Sequence, residues 1–73
     1  GETKTMVFYE SPFRLVKTLT QLAEVLGSDR QASVSREISK FYEETKRGSL
    51  SELAEHFSLH PPKGEIVLVV AGE

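Results

Sequence analysis

The sequence predicts an α/β layered sandwich in which two helices pack on a mixed sheet of three to four strands. Apolar residues recur at helical spacing from Leu15 to Leu26, and residues 66–70 form an unbroken, β-branched apolar run. The predicted order along the chain is strand, helix, strand, possible strand, helix, strand. Helices that fall between strands are typical of layered α/β folds.

The first predicted strand and the first predicted helix meet at a Ser-Pro pair. Residues 6–9 are a short apolar run that indicates a buried strand. Ser11 is a favourable N-cap, and Pro12 suits the first helical position, where its missing N–H costs nothing. Gly27 follows the apolar stripe as a C-terminal cap. The sequence therefore predicts a helix over residues 12–26.

The second half of the chain continues with one ambiguous stretch. Residues 31–38 alternate as a strand does, whereas residues 39–47 are compatible with a short strand or an irregular loop. Ser49 and Glu52 have the spacing of a capping box, which predicts a second helix that two prolines end. The run 66–70 predicts a central strand covered on both faces.

Length and composition indicate one small globular domain, residues 1–73. The chain is 38% hydrophobic and 27% charged, which is typical of a folded protein. Its net charge of -2 argues against a freestanding nucleic-acid-binding module. The absence of cysteine excludes disulfides and thiolate metal sites. A cytoplasmic location is compatible with this and is the default expectation. No apolar run approaches the ~20 residues of a membrane span, so no membrane contact is expected.

The chain is also expected to be an excised piece of a longer protein. It begins with Gly1, and its only methionine, Met6, lies inside the first predicted strand. The last predicted strand is followed at once by the end of the sequence. These features predict a subdomain rather than a whole protein.

A first polar cluster follows the first predicted strand. Tyr9, Glu10 and Arg14 lie where this strand reaches a helix N-terminus, whose free N–H groups and dipole suit an anion. A cation in the first helical turn is unfavourable, so Arg14 is expected to have a partner, either Glu10 or an external anion. The alternative is a capped helix with a surface ion pair and no ligand.

A second polar cluster lies near the end of the second predicted strand. Arg36 and Glu37 are adjacent, so a regular strand directs them to opposite faces, one toward a cleft and the other toward a local partner. Lys40 and Glu43 follow shortly after. The alternative is an edge strand whose charges discourage aggregation, followed by a solvated charge run.

Two histidines do not add a metal site. His56 and His60 are four residues apart, as on one face of a helix, but a zinc site needs three or four ligands and no third is indicated. The sequence therefore predicts surface histidines and no metal.

Four short motifs occur in order over nearly the whole chain. They are Phe-Tyr-Glu-Ser-Pro-Phe-Arg at 8–14, Arg-Glu-Ile-Ser-Lys at 36–40, Arg-Gly-Ser-Leu at 47–50, and Lys-Gly-Glu at 63–65 before the last apolar strand. In this order they resemble the C-terminal subdomain of the ribosomal RNA small subunit methyltransferase I family. That family is tetrapyrrole-methylase-like and uses S-adenosylmethionine. Its members usually have His where this chain has Phe13, so a proton or hydrogen-bond role there is expected to be lost.

The resemblance implies an activity, a cofactor and partners. Members of the family transfer a methyl group from S-adenosylmethionine to the ribose 2′-hydroxyl of a cytidine in 16S ribosomal RNA. The cofactor lies in a cleft between two α/β subdomains, and this chain would form one wall of it. The implied partners are the missing N-terminal subdomain, small ribosomal subunit RNA and, in the full-length enzyme, a second protomer. The chain alone is expected to be inactive and to bind the cofactor weakly or not at all.

The resemblance also implies which side chains line the wall. Arg14, Arg36 and Lys40 would contact RNA phosphate or the cofactor carboxylate, and a glutamate would orient a basic side chain or a hydroxyl. The catalytic base is not assigned. The full candidate set for cofactor or substrate binding is Tyr9, Glu10, Arg14, Arg36, Glu37, Lys40 and Glu43.

Two other functions remain open at the level of sequence. One is a tetrapyrrole-methylase-like enzyme acting on a small molecule such as a corrin precursor. The stretch from Arg36 to Glu43 favours the ribosomal RNA methyltransferases over such enzymes. The other is a non-catalytic α/β interaction module. A module predicts a complete domain without an exposed apolar face, whereas a methyltransferase subdomain predicts an open flank where another subdomain or protomer packs.

Overall fold

A computed structural model describes residues 5–39 and 42–72 of the chain, and it confirms the predicted α/β layered fold. Each helix and strand lies in a segment where the sequence predicts that element or, for β3, allows it. In chain order the elements are β1 (Met6–Glu10), α1 (Leu15–Leu26), β2 (Gln31–Ser39), β3 (Tyr42–Ser49), α2 (Leu50–Leu59) and β4 (Ile66–Val70).

The described strands form one antiparallel sheet in the order β1-β4-β2-β3. The prediction of β4 as a central strand is confirmed, since it pairs with both β1 and β2. A mixed sheet was expected, yet every adjacent pair of described strands is antiparallel. The ambiguous stretch 39–47 falls mostly in β3, which pairs with β2 as the next strand along the chain. Consecutive strands with a short connection pair in this antiparallel way.

Both helices pack on one face of this sheet. Along β4, Ile66, Leu68 and Val70 are buried, whereas Val67 and Val69 are only half-buried. The prediction that this strand is covered on both faces is therefore wrong for the described part of the chain, where no element lies over the second face. The buried core between helices and sheet consists of Leu15, Leu19, Ala32, Val34, Leu50, Leu53, Phe57, Ile66, Leu68 and Val70.

Helix α1 begins three residues later than predicted. Residues 12–14 form a turn closed by a hydrogen bond from the Arg14 N–H to the Ser11 carbonyl (3.1 Å), and Arg14 is the N-cap residue without a side-chain cap. The prediction of Ser11 as the N-cap is wrong because the helix begins four residues after it, at Leu15. The N–H of Ser11 instead donates to Glu10 Oε1 (3.2 Å). The predicted C-terminal cap is confirmed: Gly27 has φ +107° and its N–H donates to the Ala23 carbonyl (3.0 Å).

Helix α2 starts directly at the end of β3 through the predicted capping box. The Glu52 N–H donates to Ser49 Oγ (3.1 Å), and the Ser49 N–H donates to Glu52 Oε1 (2.9 Å). These hydrogen bonds, led by the one from the Ser49 backbone, lower the pKa of Glu52. No helix in the described part of the chain has the length and apolar character that crossing a membrane requires.

Candidate functional site

The predicted site residues gather at one end of the sheet. The strand register aligns Glu10 on β1, Ile66 on β4, Arg36 on β2 and Glu44 on β3 in one row across the sheet. Neighbouring strands are ~4.8 Å apart, so Glu10 and Arg36 lie roughly 10 Å from each other along this row. The row is on the helix-bearing face, because Ile66 belongs to the buried core.

Glu10 is held firmly at the end of β1. Its Oε2 accepts a hydrogen bond from Thr18 Oγ1 (2.8 Å), and its Oε1 accepts one from the Ser11 N–H (3.2 Å). The Thr18 hydrogen bond above all lowers the pKa of the Glu10 carboxyl; Ser11 and Arg14 add to this, and partial burial opposes it. Glu10 is therefore an ionised, oriented carboxylate at neutral pH.

Arg14 has the partner that the sequence predicted, but the contact is loose. Its Nε lies 3.9 Å from Glu10 Oε1, and its side chain is 71% exposed. An ion pair this exposed contributes about 0–1 kcal/mol to stability. The guanidinium therefore remains accessible to an anion from outside.

Arg36 lies on an inner strand and pairs with a residue outside the predicted site set. β2 is bordered by β4 and β3, so the edge-strand interpretation of this cluster is wrong. Arg36 Nε donates to Glu44 Oε1 (3.2 Å), and Nη2 lies 3.2 Å from the same oxygen. Glu44 lies in the run of charged residues 43–47, and its role as partner of Arg36 depends on the strand register, which the sequence does not show.

The other predicted site residues lie on the face of the sheet away from the helices or outside the described residues. Tyr9 is 84% exposed on the face that no described helix covers. Glu43, next to Glu44 on β3, alternates to that same face. The backbone of Glu37 pairs with that of Glu43. Lys40 lies outside the described residues. The structure thus divides the predicted set between the two faces of the sheet.

A depression of about 340 Å³ opens beside the end of β1. It is lined by Tyr9 and Glu10, by Ile66 and Val67 of β4, and by Glu65 just before that strand. It combines an exposed aromatic ring with apolar atoms and two carboxylates. Glu65 was not among the predicted site residues, although it lies in the Lys-Gly-Glu motif.

A second depression of about 360 Å³, here called the histidine groove, lies between the Arg36–Glu44 pair and the C-terminal end of α2. It is lined by Arg36, Glu44, His56, Phe57, Leu59, His60, Pro61 and Pro62. The rings of His56 and His60 are 5.0 Å apart between centroids. Burial lowers the pKa of His56; Lys46 and His60 lower it further, and Glu44 opposes them. Both histidines lie at the surface, as predicted, but the groove that they line depends on packing that the sequence does not show.

The second face of the sheet, here called the open face, presents an apolar patch. It is formed by Val7, Tyr9, Val67 and Val69, with polar residues of β2 and β3 beside them. Val7 is 53% exposed. A further depression of about 260 Å³ on this face includes Val69, Ser33 and Arg47. An apolar surface of this kind typically marks a contact with another protein surface.

Within residues 5–39 and 42–72, no group of three or more His, Cys, Asp or Glu side chains is placed to hold a metal ion. The arrangement instead offers a fixed carboxylate, accessible guanidinium groups and exposed rings, which are groups that bind polar organic ligands.

Comparison with known proteins identifies relatives, of which the following three have the same name. The chain is 44% identical over 71 residues to Ribosomal RNA small subunit methyltransferase I of Synechocystis sp., a match that covers 97% of this chain and 25% of the relative. The protein of the same name from Streptococcus pyogenes serotype M1 is 46% identical over 69 residues, covering 94% and 24%. That of Thermotoga maritima is 42% identical over 72 residues, covering 99% and 32%. No protein-family profile matches the chain.

These matches confirm the resemblance that the four motifs predicted. They also show that the chain spans only about a quarter to a third of the length of these relatives.

Proposed function

We propose, from this homology to ribosomal RNA small subunit methyltransferase I, that the chain forms one wall of the cofactor and substrate cleft of an S-adenosylmethionine-dependent RNA methyltransferase. The whole protein would be an enzyme that 2′-O-methylates a cytidine ribose in 16S ribosomal RNA in the cytoplasm. The single observation that supports this most strongly is identity of 42–46% across almost the entire chain to proteins named Ribosomal RNA small subunit methyltransferase I.

The open face supports the idea of a wall rather than a complete enzyme. Val7 and Tyr9 leave large apolar surfaces exposed opposite the helix layer. A small domain gains stability by covering such a surface. The relatives have three to four times the length of this chain, so the remainder of the protein, including an N-terminal subdomain, would have ample mass to cover it. A second protomer of a homodimer would pack on the assembled enzyme.

The depression beside β1 fits one side of the proposed cofactor. S-adenosylmethionine, when bound, supplies an electrophilic methyl group on a positively charged sulfur. The Glu10 and Glu65 carboxylates would hold hydroxyl groups or face positive charge, and the Tyr9 ring with Val67 would pack on an aromatic ring system. The depression is open, which agrees with the expectation that this chain alone binds the cofactor weakly or not at all.

The cationic side chains suit the RNA side of the cleft. Arg14 is accessible beside Glu10 and would contact a phosphate, while Arg36 lies two strands from Glu10 along the row. Lys40, Glu37 and Glu43 would complete the wall as the resemblance implies. Glu10 is a poor candidate for the catalytic base, because a carboxylate with a lowered pKa has little tendency to take a proton. We therefore assign Glu10 to positioning.

Cofactor binding by the whole protein and by this chain tests the proposal. Isothermal titration of each with S-adenosylmethionine should show binding by the whole protein and weak or no binding by the 73-residue chain. Equal affinity in both would contradict a cleft shared between two subdomains. No binding by the folded whole protein would overturn the methyltransferase assignment and favour a non-catalytic interaction module.

A further inference from the structure

We propose that the histidine groove holds one unpaired nucleobase of the RNA substrate. This inference rests on the proposed function for its ligand, an RNA, and extends it by assigning a site that is distinct from the cofactor depression. Its basis is a groove of about 360 Å³ with ring surfaces on one side and a hydrogen-bonding pair on the other. That volume is within the range of about 300–1,000 Å³ typical of small-ligand pockets.

The ring surface combines an accessible ring, His60, with a packed ring, His56. His60 and Pro61 are exposed at the end of α2, so a planar group can reach them from solvent. The His56 ring packs edge-on against Phe57, with 4.8 Å between centroids and an interplanar angle of 85°. His60 lies 5.0 Å from His56 at a tilt of 38°. Unpaired RNA bases commonly stack on such aromatic side chains, histidine included.

The opposite side of the groove presents a donor and an acceptor next to each other. Both contacts between Arg36 and Glu44 use Glu44 Oε1, so this ion pair does not occupy Glu44 Oε2 or Arg36 Nη1. The guanidinium donates hydrogen bonds and the carboxylate accepts them. Every nucleobase has an acceptor beside an N–H donor on its Watson–Crick edge, which is exposed only when the base is unpaired. The groove would thus select an unpaired base rather than one particular base.

The ion pair that lines the groove favours a base over a phosphate, and a further cation near it is Lys46, which acts on His56. Glu44 already neutralises Arg36, and its carboxylate would repel an incoming anion at close range. The lowered pKa of His56 keeps that imidazole neutral at neutral pH, so it adds a ring surface without adding positive charge. A neutral planar ligand with hydrogen-bonding edges matches this environment. The exposed Arg14, which lies beside Glu10 at the β1 end of the row, is better suited to a phosphate.

An RNA strand without bases distinguishes binding of a nucleobase from binding of a phosphate. The isotopically labelled 73-residue chain would be titrated in an NMR experiment with a short single-stranded RNA and with an abasic strand of equal length and phosphate count. The base-containing strand should shift the His56 and His60 ring signals, and the abasic strand should not. The exposed substitution His60→Ala should weaken binding roughly 5- to 150-fold, the effect of losing one stacked base. The control Val25→Ala, at a 79% exposed position on α1, should leave it unchanged.

Three results would overturn the inference: equal shifts with the abasic strand, shifts confined to the open face, or no shift of either ring. The methylation activity of the whole protein distinguishes this failure from failure of the proposed function. If His60→Ala leaves methyl transfer and RNA affinity intact in an active enzyme, only the groove assignment falls. If the wild-type whole protein neither methylates nor binds the RNA, both fall.

Discussion

Replacing Glu10 with glutamine tests how the end of β1 is fixed. The wild-type carboxylate accepts hydrogen bonds from Thr18 (2.8 Å) and from the Ser11 N–H (3.2 Å). Glutamine keeps the size of the side chain and one acceptor oxygen but removes the charge. The substitution Glu10→Gln therefore isolates the difference between charge-assisted and neutral hydrogen bonds at a site that the cofactor would share.

The expected loss follows from the side chain's environment. A hydrogen bond to a charged group contributes about 1.5–3 kcal/mol and a neutral one about 0.5–1.5 kcal/mol, so the free energy of unfolding should fall by about 1–1.5 kcal/mol. For a domain of this size the melting temperature should fall by about 4–12 °C. Only 17% of the Glu10 side chain is exposed, so screening by water is limited.

The effect should depend on pH in one direction. The folded state lowers the pKa of Glu10 below its ordinary value of 4.5, so the carboxylate favours folding fully above pH 4.5. This contribution is lost as the pH falls through the lowered pKa of the folded state. The difference in stability between wild type and Glu10→Gln should therefore be largest near neutral pH and shrink under acidic conditions.

Urea unfolding followed by circular dichroism at several pH values measures this difference. The matched control is Glu24→Gln, an exposed glutamate on α1, which should change stability by no more than about 0.5 kcal/mol. Equal effects of the two substitutions at neutral pH would refute the reasoning. So would a gap between wild type and Glu10→Gln that stays constant in acid.

Three further substitutions probe the helix cap, the open face and the RNA side. Ser49→Ala removes the capping box and should lower the free energy of unfolding by about 0.5–2 kcal/mol in thermal melts; an unchanged melt would contradict the cap. With the rest of the protein absent, the chain is expected to self-associate through the open face, and Val7→Lys should reduce this in sedimentation experiments while changing stability by no more than about 0.5 kcal/mol. Undiminished association would argue against the open face as a docking surface. Arg36→Ala in the whole protein should lower methyl transfer without unfolding it, and wild-type turnover and RNA affinity would remove Arg36 from the site.

Elements with a strong apolar pattern could be predicted from the sequence. The leucines of α1 and the unbroken run of β4 each specify a buried surface, so both elements form where the pattern places them. The Ser49–Glu52 box also fixes the start of α2, because its two hydrogen bonds depend only on local spacing. Such signals are contained within a few consecutive residues.

Features that depend on the partner strand could not be predicted in the same way. β3 is an edge strand whose residues 43–47 are polar or charged and exposed, so it has no apolar alternation to mark it. The contacts of Glu10 with Thr18 and of Arg36 with Glu44 each join residues eight positions apart through the fold. The uncovered face of β4 could not be predicted because its sequence is apolar on both faces. Such a sequence is the same whether the element that packs on the second face belongs to this chain or to another part of the protein.

The candidate site was predicted in part for the same reason. The motifs brought Glu10, Arg14 and Arg36 to attention, and the register confirms that Glu10 and Arg36 share one row of the sheet. The histidine groove went unrecognised because its two sides, the Arg36–Glu44 pair and the end of α2, meet only when α2 packs on the sheet. Roles in binding cofactor or RNA stay predictions.

Methyl transfer by the whole protein tests the central claim most directly. The protein would be incubated with radiolabelled S-adenosylmethionine and small ribosomal subunits from cells that lack the corresponding ribose methylation. The proposal predicts label in 16S ribosomal RNA on the ribose of a cytidine. A folded protein that binds the cofactor but leaves the RNA unlabelled would contradict it and indicate a small-molecule substrate.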